Sequence, residues 1–317
     1  MSPLTVDDHG RKAPSVGSVR RECARRLWRR SVCVALAGLF LYPMASAAAA
    51  GRTPRSYVAL GDSYTAGPGI PQQVGDPPGC VRSDHNYPHL VASSLRLPAF
   101  RDASCIGAAT ADMTSAQNHD VGSSPNPAQF DSLDGNTRVV TLQIGGNDIG
   151  FYEIAYACAA YNPASTPCQD RYVRNGVDEL NRRVAAVAPR VKGLLRRIHA
   201  RSPHARVYVV GYPAILPDTG TGCWPRLPYS VADVPYLRAK QNELNAMLRA
   251  QATATRAVYV DAYRPSVGHD ACQPAADRWV EPVFDASGVP LHPNAAGMQA
   301  MASAVLSAIR GHDRSRG

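Results

Sequence analysis

No uninterrupted run of about twenty apolar residues occurs in the chain, so no segment has the length of a membrane-spanning helix. Aromatic side chains are scarce, at 7% of 317 residues, which leaves Ala, Val, Leu and Ile to build any core. No Cys-x-x-Cys pair is present and no His-rich spacing accompanies the cysteines, so the usual zinc patterns are missing and no metal is expected. There is no internal repeat and no linker between two cores. What remains, 45% hydrophobic and 19% charged residues, is ordinary for a folded globular protein.

The N-terminus reads as an export signal. Arg20, Arg21, Arg25, Arg26, Arg29 and Arg30 precede an apolar run from Val32 to Tyr42. That run is roughly eleven residues, too short for a bilayer but suited to a signal-peptide core. Pro43 breaks it, and Ala45-Ser46-Ala47 supplies a small-residue cleavage pattern, with further options through Ala50. Residues 1–47 are therefore expected to be removed and residues 48–317 to form one secreted domain. The stretch before the arginines is long, so initiation further in is one reading. Arg29-Arg30 leaves open whether the general or the twin-arginine export route applies.

Residues 1–47 also hold eight of the 34 Lys+Arg and three of the 25 Asp+Glu, leaving 26 basic against 22 acidic residues beyond them. The calculated pI of 9.3 thus owes much to the signal, and no nucleic-acid partner is expected. Cys23 and Cys33 lie within the signal, and six cysteines remain. An even count in an exported chain favours disulfides, although six cysteines allow fifteen connectivities. Pairing in chain order, Cys80–Cys105, Cys158–Cys168 and Cys223–Cys272, makes each bridge bracket one loop region.

Five short apolar or β-branched runs read as buried strands: Ser56–Leu60, a weak one at Phe100–Ala103, Val139–Ile144, Arg206–Gly211 and Ala257–Asp261. Helical patterns lie between them, at Tyr87–Leu95, from about Arg171 to Ala200, and at Val234–Thr255. Pro189 should kink or split the long one. A last helix follows His292, with Pro293 in a first-turn position. Alternating strands and helices predict an α/β fold with a parallel sheet covered on both faces. In such sheets, sites form beyond the carboxyl ends of the strands.

Chemically suggestive residues sit at those ends. The first strand runs into Gly61-Asp62-Ser63-Tyr64, which sets a serine at the sheet edge, where backbone N–H groups can stabilise negative charge. Taken by itself, this is a common turn sequence. After the second strand, Gly107 in Ile106-Gly107-Ala108 lets a backbone N–H approach a substrate oxygen. After the third, Gly145-Gly146-Asn147-Asp148 brings an amide donor to the rim. Leu291-His292-Pro293-Asn294 puts a candidate general base ahead of the last helix. Asp62 and Asp148 read as loop-holding residues. Trp224, Tyr229, Tyr236 and Trp279 are candidates either for an acyl pocket or for loop packing.

These four blocks, in this order, resemble the GDSL or SGNH hydrolase superfamily, from Gly61 to His292. The resemblance implies a flavodoxin-like three-layer α/β/α sandwich with a five-stranded parallel sheet. It implies Ser63 as nucleophile and His292 as base. An oxyanion hole would be formed by the Ser63 and Gly107 N–H groups and the Asn147 amide, with no cofactor. The family usually carries Asp three residues before the histidine; here that residue is Val289. The chain resembles a subgroup of secreted actinobacterial-type esterases in which a backbone carbonyl replaces the Asp. The expectation is therefore a Ser63–His292 dyad oriented by the Val289 carbonyl, with the Asp285 carboxylate as the alternative. The function implied is secreted hydrolysis of carboxylic esters, lipase or esterase in type, by a monomer acting on a small ester or lipid. Phospholipids and O-acetylated polysaccharides are alternative substrates, and a catalytically idle cell-wall-binding protein is the non-enzymatic alternative.

Overall fold

A computed structural model describes residues 56–118 and 124–314. The expected signal segment lies outside the described residues. Five strands form one parallel sheet: β1 Ser56–Gly61, β2 Ala99–Asp102, β3 Thr137–Gln143, β4 Arg206–Val210 and β5 Val258–Val260. Their spatial order is β2-β1-β3-β4-β5, the flavodoxin-like arrangement, so the chain switches direction across the sheet between β1 and β3. All five expected strands are present, shifted by at most two residues at their ends.

Strand alternation divides the core. Val58 and Leu60 of β1 point to one face with Leu142, Val207 and Val209, beneath the helices Glu179–Arg201 and Asp233–Ala254. Tyr57 and Ala59 point to the other with Val139, Tyr208 and Val260, beneath Tyr87–Leu95 and Ala295–Arg314. The sheet is thus buried on both sides, which is why its strands read as continuous apolar runs.

Two local expectations are corrected. Of the expected kink or split at Pro189, the split does not occur: the helix Glu179–Arg201 runs through it. Seven side chains of its inner stripe, from Leu180 to Ile198, are buried, and each contributes about 1.5–3 kcal/mol, more together than the roughly 3 kcal/mol cost of an interior proline. Pro189 and Ala185 both lie on the exposed side, so the carbonyl left without its helical donor is reached by water. The helix also starts later than expected. Residues Pro167–Tyr172 form a separate short helix, followed by a hairpin, Val173–Arg174 paired with Val177–Asp178. Asn175 and Gly176, at φ 51° and 73°, make its two-residue turn. Asp178 then caps the long helix, accepting from the N–H groups of Leu180 and Asn181.

The cysteine bridges close in chain order: Cys80–Cys105, Cys158–Cys168 and Cys223–Cys272. The last two bind together the loops on the carboxyl rim of the sheet.

Candidate active site

β1 delivers the serine. Its last residue, Gly61, packs so closely that a Cβ there would meet Thr65 Oγ1 at 2.1 Å and the Gln143 carbonyl at 2.7 Å. The buried Gln129 amide closes the edge by bonding both the N–H and the carbonyl of Gly61. A single helical turn, Ser63–Ala66, begins at once. Asp62 caps it: its side chain accepts from the Tyr64 N–H at 2.9 Å, and its carbonyl accepts from Thr65 and Ala66 at 3.0 Å each. The next three N–H groups of the turn are therefore occupied.

His292 arrives from the other end of the chain, 229 residues away, and its Nε2 lies 2.8 Å from Ser63 Oγ. On the far side of the ring, Nδ1 lies 2.8 Å from the Pro290 carbonyl. A carbonyl only accepts, so Nδ1 carries the proton and Nε2 is left as acceptor for the serine hydroxyl. Burial pulls the imidazole pKa below its ordinary 6.5, against the Pro290 carbonyl, which raises it. The ring is neutral at neutral pH.

The expected orienting group is corrected. The Val289 carbonyl accepts instead from the backbone N–H of His292 at 3.2 Å, closing a tight turn that aims the next carbonyl, that of Pro290, at the ring. Asp285 is exposed, at φ 63°, and gives its backbone carbonyl to Arg278 at 2.9 Å; its carboxylate is not among the ring's partners.

Several residues that the sequence reading passed over fix this geometry. Tyr64 Oη donates to the Leu291 carbonyl at 2.5 Å, and the Tyr64 ring lies 5.1 Å from the imidazole. Phe151 and Tyr212 pack edge-on against Tyr64. Tyr212 Oη accepts from the Gly146 N–H at 2.9 Å and donates to Asp62 at 2.5 Å, joining the blocks after β1 and β3. Burial pushes the Asp62 carboxyl up to about 7, opposed by its bonds from Tyr212 and Tyr64.

The loop carrying His292 is held by Glu281. Its buried carboxylate meets Arg278 at 2.8 Å, the Ser287 N–H at 2.9 Å and the Asn294 amide at 3.0 Å, while its backbone pairs with Leu291 and His292. Burial alone would raise its pKa, but these donors outweigh it and hold it below the usual range. Asn294 also caps the last helix by accepting from the Gly297 N–H, so Pro293 precedes that helix rather than opening it.

Gly107 stands exposed on the rim at φ 74°. Asn147, after β3, donates through Nδ2 to the Ala108 carbonyl at 2.9 Å, which ties the two segments together. Asp148 accepts from the Thr110 N–H and hydroxyl, so it holds this loop in the manner expected.

An apolar cavity of about 90 Å³ is walled by Phe151, Ile154, Leu216, Tyr229, Leu244 and Leu291; Phe151 and Leu291 separate it from the Tyr64–His292 pair, which does not itself line it. Lys240 and Gln241 also line it, with their polar ends engaged elsewhere: the ammonium on Asp178 and Glu243, the amide on the Pro213 carbonyl. Of the four aromatic candidates, only Tyr229 lines this cavity. Tyr236 bonds Asp178, Trp279 stacks on His269, and Trp224 donates to the Ala160 carbonyl.

A flavodoxin-like sheet with a serine after its first strand and a histidine before its last helix defines a class of hydrolase, and similarity to known proteins gives the family. The model of the GDSL-like lipase/acylhydrolase family matches residues 59–300. "Lipase 2" of Streptomyces coelicolor is 42% identical over 275 residues, covering 84% of this chain and 90% of that protein. Among solved structures, phospholipase A1 from Streptomyces albidoflavus superposes with a TM-score of 0.64 at 27% identity, covering 81% of this chain and 99% of that one. An extracellular lipase from Streptomyces rimosus superposes with a TM-score of 0.65 at 25% identity, with the same coverage. The chain belongs to the GDSL-like lipase/acylhydrolase family, and it is a carboxylic-ester hydrolase of the lipase or esterase type. The fourth letter of the family's own name, a leucine, is Tyr64 in this chain.

Proposed function

We propose that this protein hydrolyses lipid esters, phospholipids included, with Ser63 as nucleophile and His292 as general base. The observation that carries this is the 2.8 Å contact between His292 Nε2 and Ser63 Oγ, with an apolar cavity behind the neighbouring Leu291 and Phe151. His292 takes the hydroxyl proton as Ser63 Oγ attacks the ester carbonyl. The oxyanion so formed is held by the N–H groups of Ser63 and Gly107 and by the second N–H of the Asn147 amide. Collapse breaks the ester C–O bond, and His292 returns the proton to the departing alcohol. Water, deprotonated by the same imidazole, then releases the acid and restores Ser63. The Pro290 carbonyl keeps the ring in the required tautomer but adds no full negative charge beside the imidazolium.

The phospholipase and lipase among the similar proteins support lipid esters as substrates. Three disulfides and a similar extracellular lipase support export, with residues 1–47 removed and 48–317 remaining. A fluorophosphonate probe is expected to label Ser63 in the folded protein and to leave Ser63→Ala unlabelled. A series of p-nitrophenyl esters, run beside a phospholipid and an acetylated sugar, tests the substrate class. Preference for the acetylated sugar over every lipid ester overturns the lipid reading. N-terminal sequencing of protein from the culture medium checks the cleavage site.

A further inference from the structure

Nine large apolar side chains stand exposed among the described residues, and six of them come from one group of joined loops: Tyr152, Tyr156, Tyr161, Trp224, Val231 and Phe284. Ordinary surfaces scatter such residues singly. Here the segments are bonded to one another. The Ala160 N–H donates to the Pro228 carbonyl at 2.6 Å, Trp224 Nε1 to the Ala160 carbonyl at 3.1 Å, and the Phe284 N–H to the Arg226 carbonyl at 3.1 Å. The Cys158–Cys168 bridge anchors the first of them.

At their centre is the helix Phe151–Ala157. Its inner side, Phe151, Ile154 and Ala155, lines the apolar cavity. Its outer side shows Tyr152 and Tyr156, four residues apart and each 81% exposed. A helix that is apolar on both sides is normally covered on both sides. Only the inner one is covered here.

We propose that this aromatic rim seats the protein on the surface of a zwitterionic phospholipid bilayer; the inference rests on the lipid-ester reading above. Three features select that occupant. Tyr and Trp have an apolar ring and a polar tip, which suits them to the headgroup level of a bilayer. The segments that carry these side chains hold little net charge: Glu153 is taken by Arg183 at 2.8 Å and Arg171 at 3.3 Å, and Arg226 and Asp285 add one charge of each sign, as suits a zwitterionic surface. The helix Phe151–Ala157 bears Tyr152 and Tyr156 outward and lines the apolar cavity with Phe151, Ile154 and Ala155 inward, which sets that cavity directly behind the rim. No helix among the described residues is long and apolar enough to cross the membrane, and the contact is peripheral.

The test uses Ser63→Ala protein, which binds without turnover, and the triple variant Tyr152→Ser/Tyr156→Ser/Tyr161→Ser on that background, both floated with phosphatidylcholine vesicles. The parent is expected to co-float and the triple variant to lose about tenfold or more in partitioning. On the active background, the same triple change should cut turnover of vesicle phospholipid about tenfold and keep monomeric p-nitrophenyl acetate turnover within about twofold. Brominated phosphatidylcholine should quench Trp224 in the parent, an independent reading should the triple variant fold poorly. Equal flotation of both proteins, or none by the parent, overturns the proposal. A dimer lost in the triple variant assigns the face to a second copy, and binding to acetylated xylan that the triple variant loses assigns it to polysaccharide; either outcome overturns it. If the parent floats but the active protein hydrolyses no vesicle lipid, the surface stands and the lipid-ester reading fails.

Discussion

The hydroxyl of Tyr64 donates to the carbonyl of Leu291 at 2.5 Å, so the residue after the serine grips the residue before the histidine. The two groups that must meet are thereby bonded through their neighbours as well as directly. The ring that makes this bond also lies beside the imidazole, giving His292 a fixed wall.

Tyr64→Phe keeps that wall and removes only the hydroxyl. The Leu291 carbonyl, buried with its residue, loses its donor, which costs about 1–3 kcal/mol. A fall of about tenfold in kcat with KM little changed is expected, because the loss is one of alignment. Steady-state kinetics beside thermal denaturation measure both; unchanged kcat with lowered stability would confine Tyr64 to a structural role.

Asp285→Asn should keep turnover within about twofold, since its carboxylate does not reach the ring, while His292→Ala should cost about a thousandfold or more. A collapse with Asp285→Asn would show that the loop refolds to supply a carboxylate. Kinetics on one soluble ester suffice for both variants.

With His292 as the proposed base, its depressed pKa should set the acid limb of activity. The base must be neutral, so kcat/KM should fall as pH drops, with a midpoint below the ordinary 6.5. The stability sign is linked: the unfolded histidine takes up its proton first, so folding weakens as pH falls below 6.5 toward the folded value. A pH–rate profile with its acid midpoint above 6.5 would contradict the buried, neutral ring.

Glu281→Gln removes the charge that pairs with Arg278 and weakens its bonds to Ser287 and Asn294. Leaving a buried guanidinium without its partner costs about 3–5 kcal/mol. Both melting temperature and kcat should drop, and a control at exposed Glu179, which makes only a surface ion pair with Arg183, should change neither by a comparable amount. Calorimetry and turnover on the same preparations decide it.

Legibility from sequence followed the range of the interactions. β1 and β3 were readable because a strand buried on both faces announces itself as a local apolar run, and Ser63 and Asn147 follow within a few residues. The parallel sheet was readable from alternation of strands and helices. The bonds that aim the site join residues far apart: Tyr64 with Leu291, Tyr212 with Asp62, Arg278 and Glu281 with Asn294. No local pattern marks such pairs. The Pro290 carbonyl was missed by one residue because the choice between adjacent peptide oxygens depends on turn geometry, not on residue type. The hairpin at Asn175-Gly176 carried a readable signal that helical periodicity on either side overrode, and the persistence of the long helix through Pro189 depended on which side of it faced water.

The oxygen that accepts from His292 belongs to the main chain. It has no proton to gain at low pH, and every residue type that preserves the turn at position 290 supplies it. A scan that replaces side chains one by one would pass over it in silence. Its loss would be visible only in changes to loop length or backbone shape, so insertions and deletions between Glu281 and His292 are the natural probes of how this histidine is held.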